Sequence, residues 1–115
     1  MQTIEILENA RSAKKDAMLL SSAKKNEALN AMAESLIKNT DKILSANKKD
    51  VEKAIEKNIS KGLLDRLTLT EARIIDMADG LRQVATLNDP VGDELSRVER
   101  PNGMIVTKRR VPMGV

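Results

Sequence analysis

Apolar residues recur along the first 87 positions at steps of three and four, the period at which one face of a helix repeats. Ile6, Ala10, Ala13, Ala17 and Leu20 trace the first such face, with Glu8, Arg11, Lys15 and Asp16 on the opposite side. Ser21 and Ser22 then offer an N-cap for a second helix. Its Leu29, Met32, Ala33, Leu36 and Ile37 fit the i, i+3, i+4, i+7, i+8 template without a miss. Asn39 and Thr40 interrupt it. Thr40 reads as the cap of a third helix whose face is Ile43, Leu44, Asn47, Val51, Ala54 and Ile55, with Asn47 its polar member. A short turn of helix is expected over residues 60–67, around Gly62. Thr70 then caps a fourth long helix with Ile74, Ala78, Leu81 and Ala85 on one side and Met77 and Val84 widening the stripe. Gly80 inside it costs about 1 kcal/mol relative to Ala, which predicts a close helix contact or a kink at that point.

Asn88, Asp89 and Pro90 end the helical pattern. Residues 95–100 and 104–111 are richer in extended formers and flank Pro101, Asn102 and Gly103. Pro suits the second position of a type I turn and Gly the positive φ that often follows, so a β-hairpin is expected. The predicted fold is mainly α, four long helices plus one short, with a C-terminal β-hairpin. A lone two-stranded hairpin is marginal in water, and helices with one-sided apolar faces need something to cover them. The pattern therefore predicts an incomplete unit that ends in mid-fold.

Composition sharpens this. The 115 residues include no Cys, no His and no aromatic side chain, with 41% hydrophobic and 32% charged positions. A core without Phe, Tyr or Trp lacks the residues that bury roughly 150–250 Å² each, so any core is thin. Without Cys or His, the common nucleophile, its common base and the usual ligands for zinc, iron or copper are missing. The chain cannot hold a whole site of those kinds. The absence of Cys fits a reducing compartment. The apolar runs are too short for a membrane span, and Glu5, Glu8, Arg11 and Lys14 break up any signal-peptide core. A cytoplasmic location is expected.

The net charge of +3, from 20 basic and 17 acidic residues, is well mixed. Lys108, Arg109 and Arg110 form the one basic run. Strand alternation sends them to opposite faces, and without aromatics to stack bases, nucleic-acid binding is disfavoured. Asn47 and Asp50, three apart on the third helix, could ligate a hard cation. Two oxygen donors fall far short of the six to eight that calcium takes, so an amide bonded to neighbouring main chain is the better reading. Asp65, Arg66, Glu71 and Arg73 read as a salt-bridged joint between helices. Gly114 lacks the repeated glycines of a phosphate loop.

The words of the sequence say more than its periods. Residues 20–26 (LSSAKKN), 43–51 (ILSANKKDV) and 63–70 (LLDRLTLT) resemble the opening of gamma-glutamyl phosphate reductase, or glutamate-5-semialdehyde dehydrogenase. So do Leu81-Arg82-Gln83-Val84, Asp89-Pro90-Val91-Gly92 and the closing RRVPMGV, in the same order over essentially the whole chain. The Ala-Asn-x-x-Asp and Pro-x-Gly-Val elements are also similar to those of the wider aldehyde dehydrogenase superfamily. The resemblance implies an NADPH-dependent step of proline biosynthesis, reduction of L-glutamyl 5-phosphate to L-glutamate 5-semialdehyde. In that family a cysteine thiolate displaces phosphate to form a thioester, which hydride then reduces.

Family members are several times longer, and the catalytic cysteine and cofactor pocket lie beyond the matched region. The resemblance implies that residues 1–88 are the N-terminal helical part of the cofactor-binding domain of an α/β aldehyde dehydrogenase-like fold. Residues 89–115 would be the hairpin of its oligomerisation extension and the start of the first cofactor-domain strand. The implied partners are the remainder of the enzyme chain and, through the hairpin, further copies in a homo-oligomer. No catalytic, cofactor-binding or metal-ligating residue carries over to this segment, so it is expected to be inactive scaffold. The contrasting expectation, from a different class, is a stand-alone helical interaction module with no catalysis. A third keeps the superfamily but takes a free aldehyde as substrate.

Overall fold

The computed structural model describes residues 2–113. Its elements in chain order are α1 (Thr3–Met18), α2 (Ser22–Lys38), α3 (Thr40–Glu56), α4 (Lys61–Leu67), α5 (Glu71–Thr86), β1 (Glu94–Glu99) and β2 (Ile105–Arg109). The mainly α architecture with its C-terminal hairpin is the one the residue pattern predicts. Gly114 and Val115, part of the expected start of a further strand, lie outside the described residues. Two compact units form: residues 23–87, and residues 2–22 with 88–113.

In the 23–87 unit α3 packs on α4 and α5. The innermost side chains are Ala33 of α2, Ala54 of α3, and Ile74 and Ala78 of α5. Ile74 is the one large residue that is fully buried among those described. Leu81 and Ala85, next on the same stripe, are half-buried, whereas Ile55 on the expected face of α3 is 56% exposed. The core is thin, as an aromatic-free composition requires.

The helix ends show why the elements start and stop where they do. Thr70 caps α5 as expected, its hydroxyl accepting from Arg73 N (3.2 Å). Thr40 does not cap α3. The capping position is Asn39, without a side-chain cap bond, and Thr40 is the first helical residue. The reason lies in the four carbonyls that any helix leaves unpaired at its C-terminus. Asn39 Nδ2 donates to Ser35 O (2.8 Å), and Thr40 Oγ1 donates to Ile37 O (2.8 Å) and Leu36 O (3.3 Å). Asn39-Thr40 thus closes α2 rather than opening α3. At the far end of α3, Asn58 takes the left-handed conformation (φ 54°). Asn58 N donates to Ile55 O and Ile59 N to Ala54 O, the pairing of a Schellman stop.

Gly80 departs from expectation. Helix α5 runs through it without a break, and a Cβ built there would meet nothing within 4 Å. No neighbouring helix among the described residues presses on it; the space beside it is open.

In the other unit, α1 buries none of its residues, so Ile6 and the rest of its predicted face stand uncovered. Asp89 Oδ1 accepts from Val91 N and Pro90 O from Asp93 N, with Gly92 at φ 88°. That positive φ in the third turn position is what glycine permits. The hairpin pairs Glu99 with Ile105, Val98 with Val106, Arg97 with Thr107, Ser96 with Lys108 and Glu94 with Arg109. Its turn closes with Gly103 N donating to Arg100 O and Arg100 N to Met104 O, Gly103 lying at φ 81°. β1 starts one residue earlier than the pattern suggests, and Leu95 is bulged out of the register. Every residue of both strands is exposed.

Candidate functional site

The residues singled out from sequence fall into two structural clusters, and a groove forms beside one of them. The first cluster joins α3, α4 and α5. Asn47 projects from α3 onto the segment after α4, donating through Nδ2 to Leu67 O (2.8 Å) and accepting from Leu69 N through Oδ1 (2.8 Å). It is an amide spent on neighbouring main chain, as the structural reading of the sequence held, though half-buried rather than fully buried. Asp50 stays on the exposed side of the helix and does not join it.

Arg73 of α5 grips the same crossing from the other direction. Its Nη1 donates to the main-chain oxygens of Asp65 and Thr68, and its Nη2 pairs with Asp65 Oδ1 at 3.0 Å. Of the four residues expected in a salt-bridged joint, Asp65 and Arg73 form it; Arg66 and Glu71 do not. The exposed ion pair is worth little, but the main-chain bonds need the planar fork of the guanidinium. Arg73→Lys is expected to cost about 1 kcal/mol in a urea titration, because one ammonium cannot reach all three acceptors.

The second cluster lies on the hairpin. Glu94 receives two bonds from Arg97 (Nε and Nη2, both 2.9 Å) and pairs with Arg109 Nη2 at 3.2 Å. Glu94 and Arg97 are three apart, which would put them on opposite faces of a regular strand. The bulge at Leu95 resets the alternation and brings them together with Arg109. Of the basic run, Arg109 is therefore committed to Glu94 and, at 3.4 Å, to Gly92 O, on the face opposite Lys108.

Hydrogen bonding from Arg97 holds the Glu94 carboxyl below the usual carboxylate range, aided by the charges of Arg97 and Arg109 and opposed by partial desolvation. Its contribution is complete above the ordinary carboxylate pKa and is lost as pH falls through the lowered one. An NMR titration should place the Glu94 midpoint below that of a free glutamate side chain. In Arg97→Gln it should return toward that value.

A groove of about 920 Å³ lies among α2, α3 and α5 in the 23–87 unit. Met32, Leu36, Ile43, Met77, Leu81 and Val84 make most of its wall, with Gly80 and Ala46 also lining it. Met77 and Val84 were the positions that widened the α5 stripe beyond what one packing face needs. That excess width was the sequence signal for the groove. Its polar members are Ser35, Asn39 and Lys42.

The described residues offer no fit for a dinucleotide. Gly62, Gly80, Gly92 and Gly103 are isolated, and none belongs to a glycine-rich turn opening a long helix. No group of three or more carboxylates among them could hold a metal ion, and none of their helices is long and apolar enough to cross a membrane.

No family model matches the chain. It is similar to the gamma-glutamyl phosphate reductase of Clostridium novyi, 50% identical over 112 residues that make up 97% of this chain and 27% of the relative. An enzyme of that name from Bacillus cereus is 48% identical over 114 residues, 96% of this chain and 28% of the relative. The crystal structure of the Thermotoga maritima gamma-glutamyl phosphate reductase superposes with a TM-score of 0.90 at 35% identity, covering 95% of this chain and 26% of that one. The Saccharomyces cerevisiae structure superposes at 0.83 and 30% identity, covering 93% and 28%. The chain spans about a quarter of the length of the relatives it matches.

Proposed function

We infer, from homology to the N-terminal 26–28% of gamma-glutamyl phosphate reductase, that this chain is the scaffold segment of an enzyme making L-glutamate 5-semialdehyde from L-glutamyl 5-phosphate in proline biosynthesis. The observation that carries the reading is 50% identity maintained over 97% of the chain. NADPH supplies the hydride in the complete enzyme, and the residues that bind it and attack the substrate belong to the part this chain does not span. The site's physical character supports that division. Asn47 and Arg73 are committed to holding helices together, and the apolar groove and the exposed strands are surfaces that further chain would cover.

Residues 1–88 serve as the helical part of the cofactor-binding domain and residues 89–115 as the oligomerisation hairpin leading into the first strand of that domain. A hairpin exposed on both faces is marginal alone, which supports its use as a contact between copies. A cytoplasmic enzyme belongs to the same reading, and none of the described helices is long and apolar enough to cross a membrane.

The test joins this chain to the C-terminal three quarters of the Clostridium novyi reductase. The joined protein should convert semialdehyde and phosphate with NADP to glutamyl phosphate and NADPH, read by nicotinamide absorbance. The 115-residue chain alone should show no turnover. A folded joined protein without activity overturns the assignment, and turnover by the chain alone overturns the scaffold role.

A further inference from the structure

We propose that the groove among α2, α3 and α5 seats an apolar helix from the remaining three quarters of the reductase, with Gly80 at the point of closest approach. The proposal rests on the reductase reading and goes beyond it by naming the surface and the kind of segment that docks. Three observations support it. The walls are apolar, yet Met77 and Val84 remain 48% and 50% exposed, so the 23–87 unit does not cover its own groove. Gly80 weakens α5 relative to Ala, and a Cβ built there would meet no described residue of the 23–87 unit within 4 Å. The relatives matched over nearly the whole of this chain continue for about three times its length, so the polypeptide itself can supply the cover.

A small molecule suits the groove less well. Ligand sites enclose most of the ligand and aim a few polar groups at it. Here the Asn39 amide is committed to Ser35 O and Oγ, which leaves Lys42 as the uncommitted polar side chain among the described ones. A groove bordered by three helices takes a fourth rod at the usual 8–10 Å spacing, and a glycine lets that rod come close.

The joined protein described above provides the test, with Val84→Cys as the reporter. Alkylation of that thiol, followed by peptide mass spectrometry, should be slower in the native protein than in denaturant by on the order of 100-fold. Adding Gly80→Leu, which this chain has room for, should raise the rate and lower the thermal midpoint. Rapid alkylation in the native protein overturns the docking proposal. So does protection that disappears on dilution to monomer, which would make the occupant a second copy. A higher midpoint for Gly80→Leu removes Gly80 from the contact. Rapid alkylation in a protein that still turns over defeats the groove proposal alone. Slow alkylation in a protein without turnover defeats the reductase reading alone.

Discussion

Ile74→Ala should lower the unfolding free energy of the chain by about 2–5 kcal/mol, seen as a fall in the urea midpoint with an unchanged slope. The size follows from how completely Ile74 is buried in a thin core. It is 0% exposed, and the other fully inward residues are Ala33, Ala54 and Ala78. The other buried side chains are alanines, with no spare length to fill the space an isoleucine leaves in so thin a core, so a cavity term adds to the lost transfer energy. Small domains hold only about 5–15 kcal/mol in total, so such a loss is a large share of the stability of a thin unit. Ile55→Ala is the matched control. It removes the same atoms from a side chain that is 56% exposed, and should cost within about 0.5 kcal/mol of nothing. Equal effects from the two would mean that α3 and α5 do not pack as described.

Asn47→Leu should cost about 2–3 kcal/mol, since it strands both Leu67 O and Leu69 N while keeping much of the side-chain volume. Hydrogen exchange gives a direct readout. The amide of Leu69 is bonded to Asn47 Oδ1, and its protection should vanish in the variant while that of Ile74, bonded to Thr70 O inside α5, persists. Asn47→Asp separates the two bonds. It keeps an acceptor for Leu69 N but replaces the donor to Leu67 O with a charge facing a carbonyl oxygen, so Leu69 protection should partly survive while stability falls. Loss of both together in Asn47→Asp would show that the two bonds act as a single unit.

The residues that carried the family likeness and those that hold the helices together are largely the same. Asn47 comes from the Ala-Asn-Lys-Lys-Asp word, and Leu67 and Leu69 from the Leu-Asp-Arg-Leu-Thr-Leu-Thr word, and the two words meet through a pair of hydrogen bonds. Helix positions were legible because steps of three and four, together with Thr70, mark an element locally. The coverage of each face was not. An apolar stripe states that something must pack on it without saying whether that partner lies in the same chain, and so Ile6 and Ile55 looked like core yet are exposed. Thr40 misled for a similar reason. A hydroxyl between two helices can serve either, and here the unpaired carbonyls of α2 claimed it. The bulge at Leu95 left no mark in composition, because it depends on which residues of the partner strand stand opposite.

The open groove also has a consequence in time. On the reductase reading, a ribosome adding about 5–20 residues per second has roughly 300 residues still to make when this segment emerges. For some tens of seconds Met32, Ile43, Met77 and Val84 would then wait for the segment that seats against them. That interval calls for a surface that resists sticking to neighbouring nascent chains, and the 32% of charged residues, mixed in sign along every helix, provides one. The groove's apolar side chains are aliphatic ones and thioethers, and none is a large flat ring, so the area each would leave exposed in that interval is smaller than an aromatic-lined groove would leave.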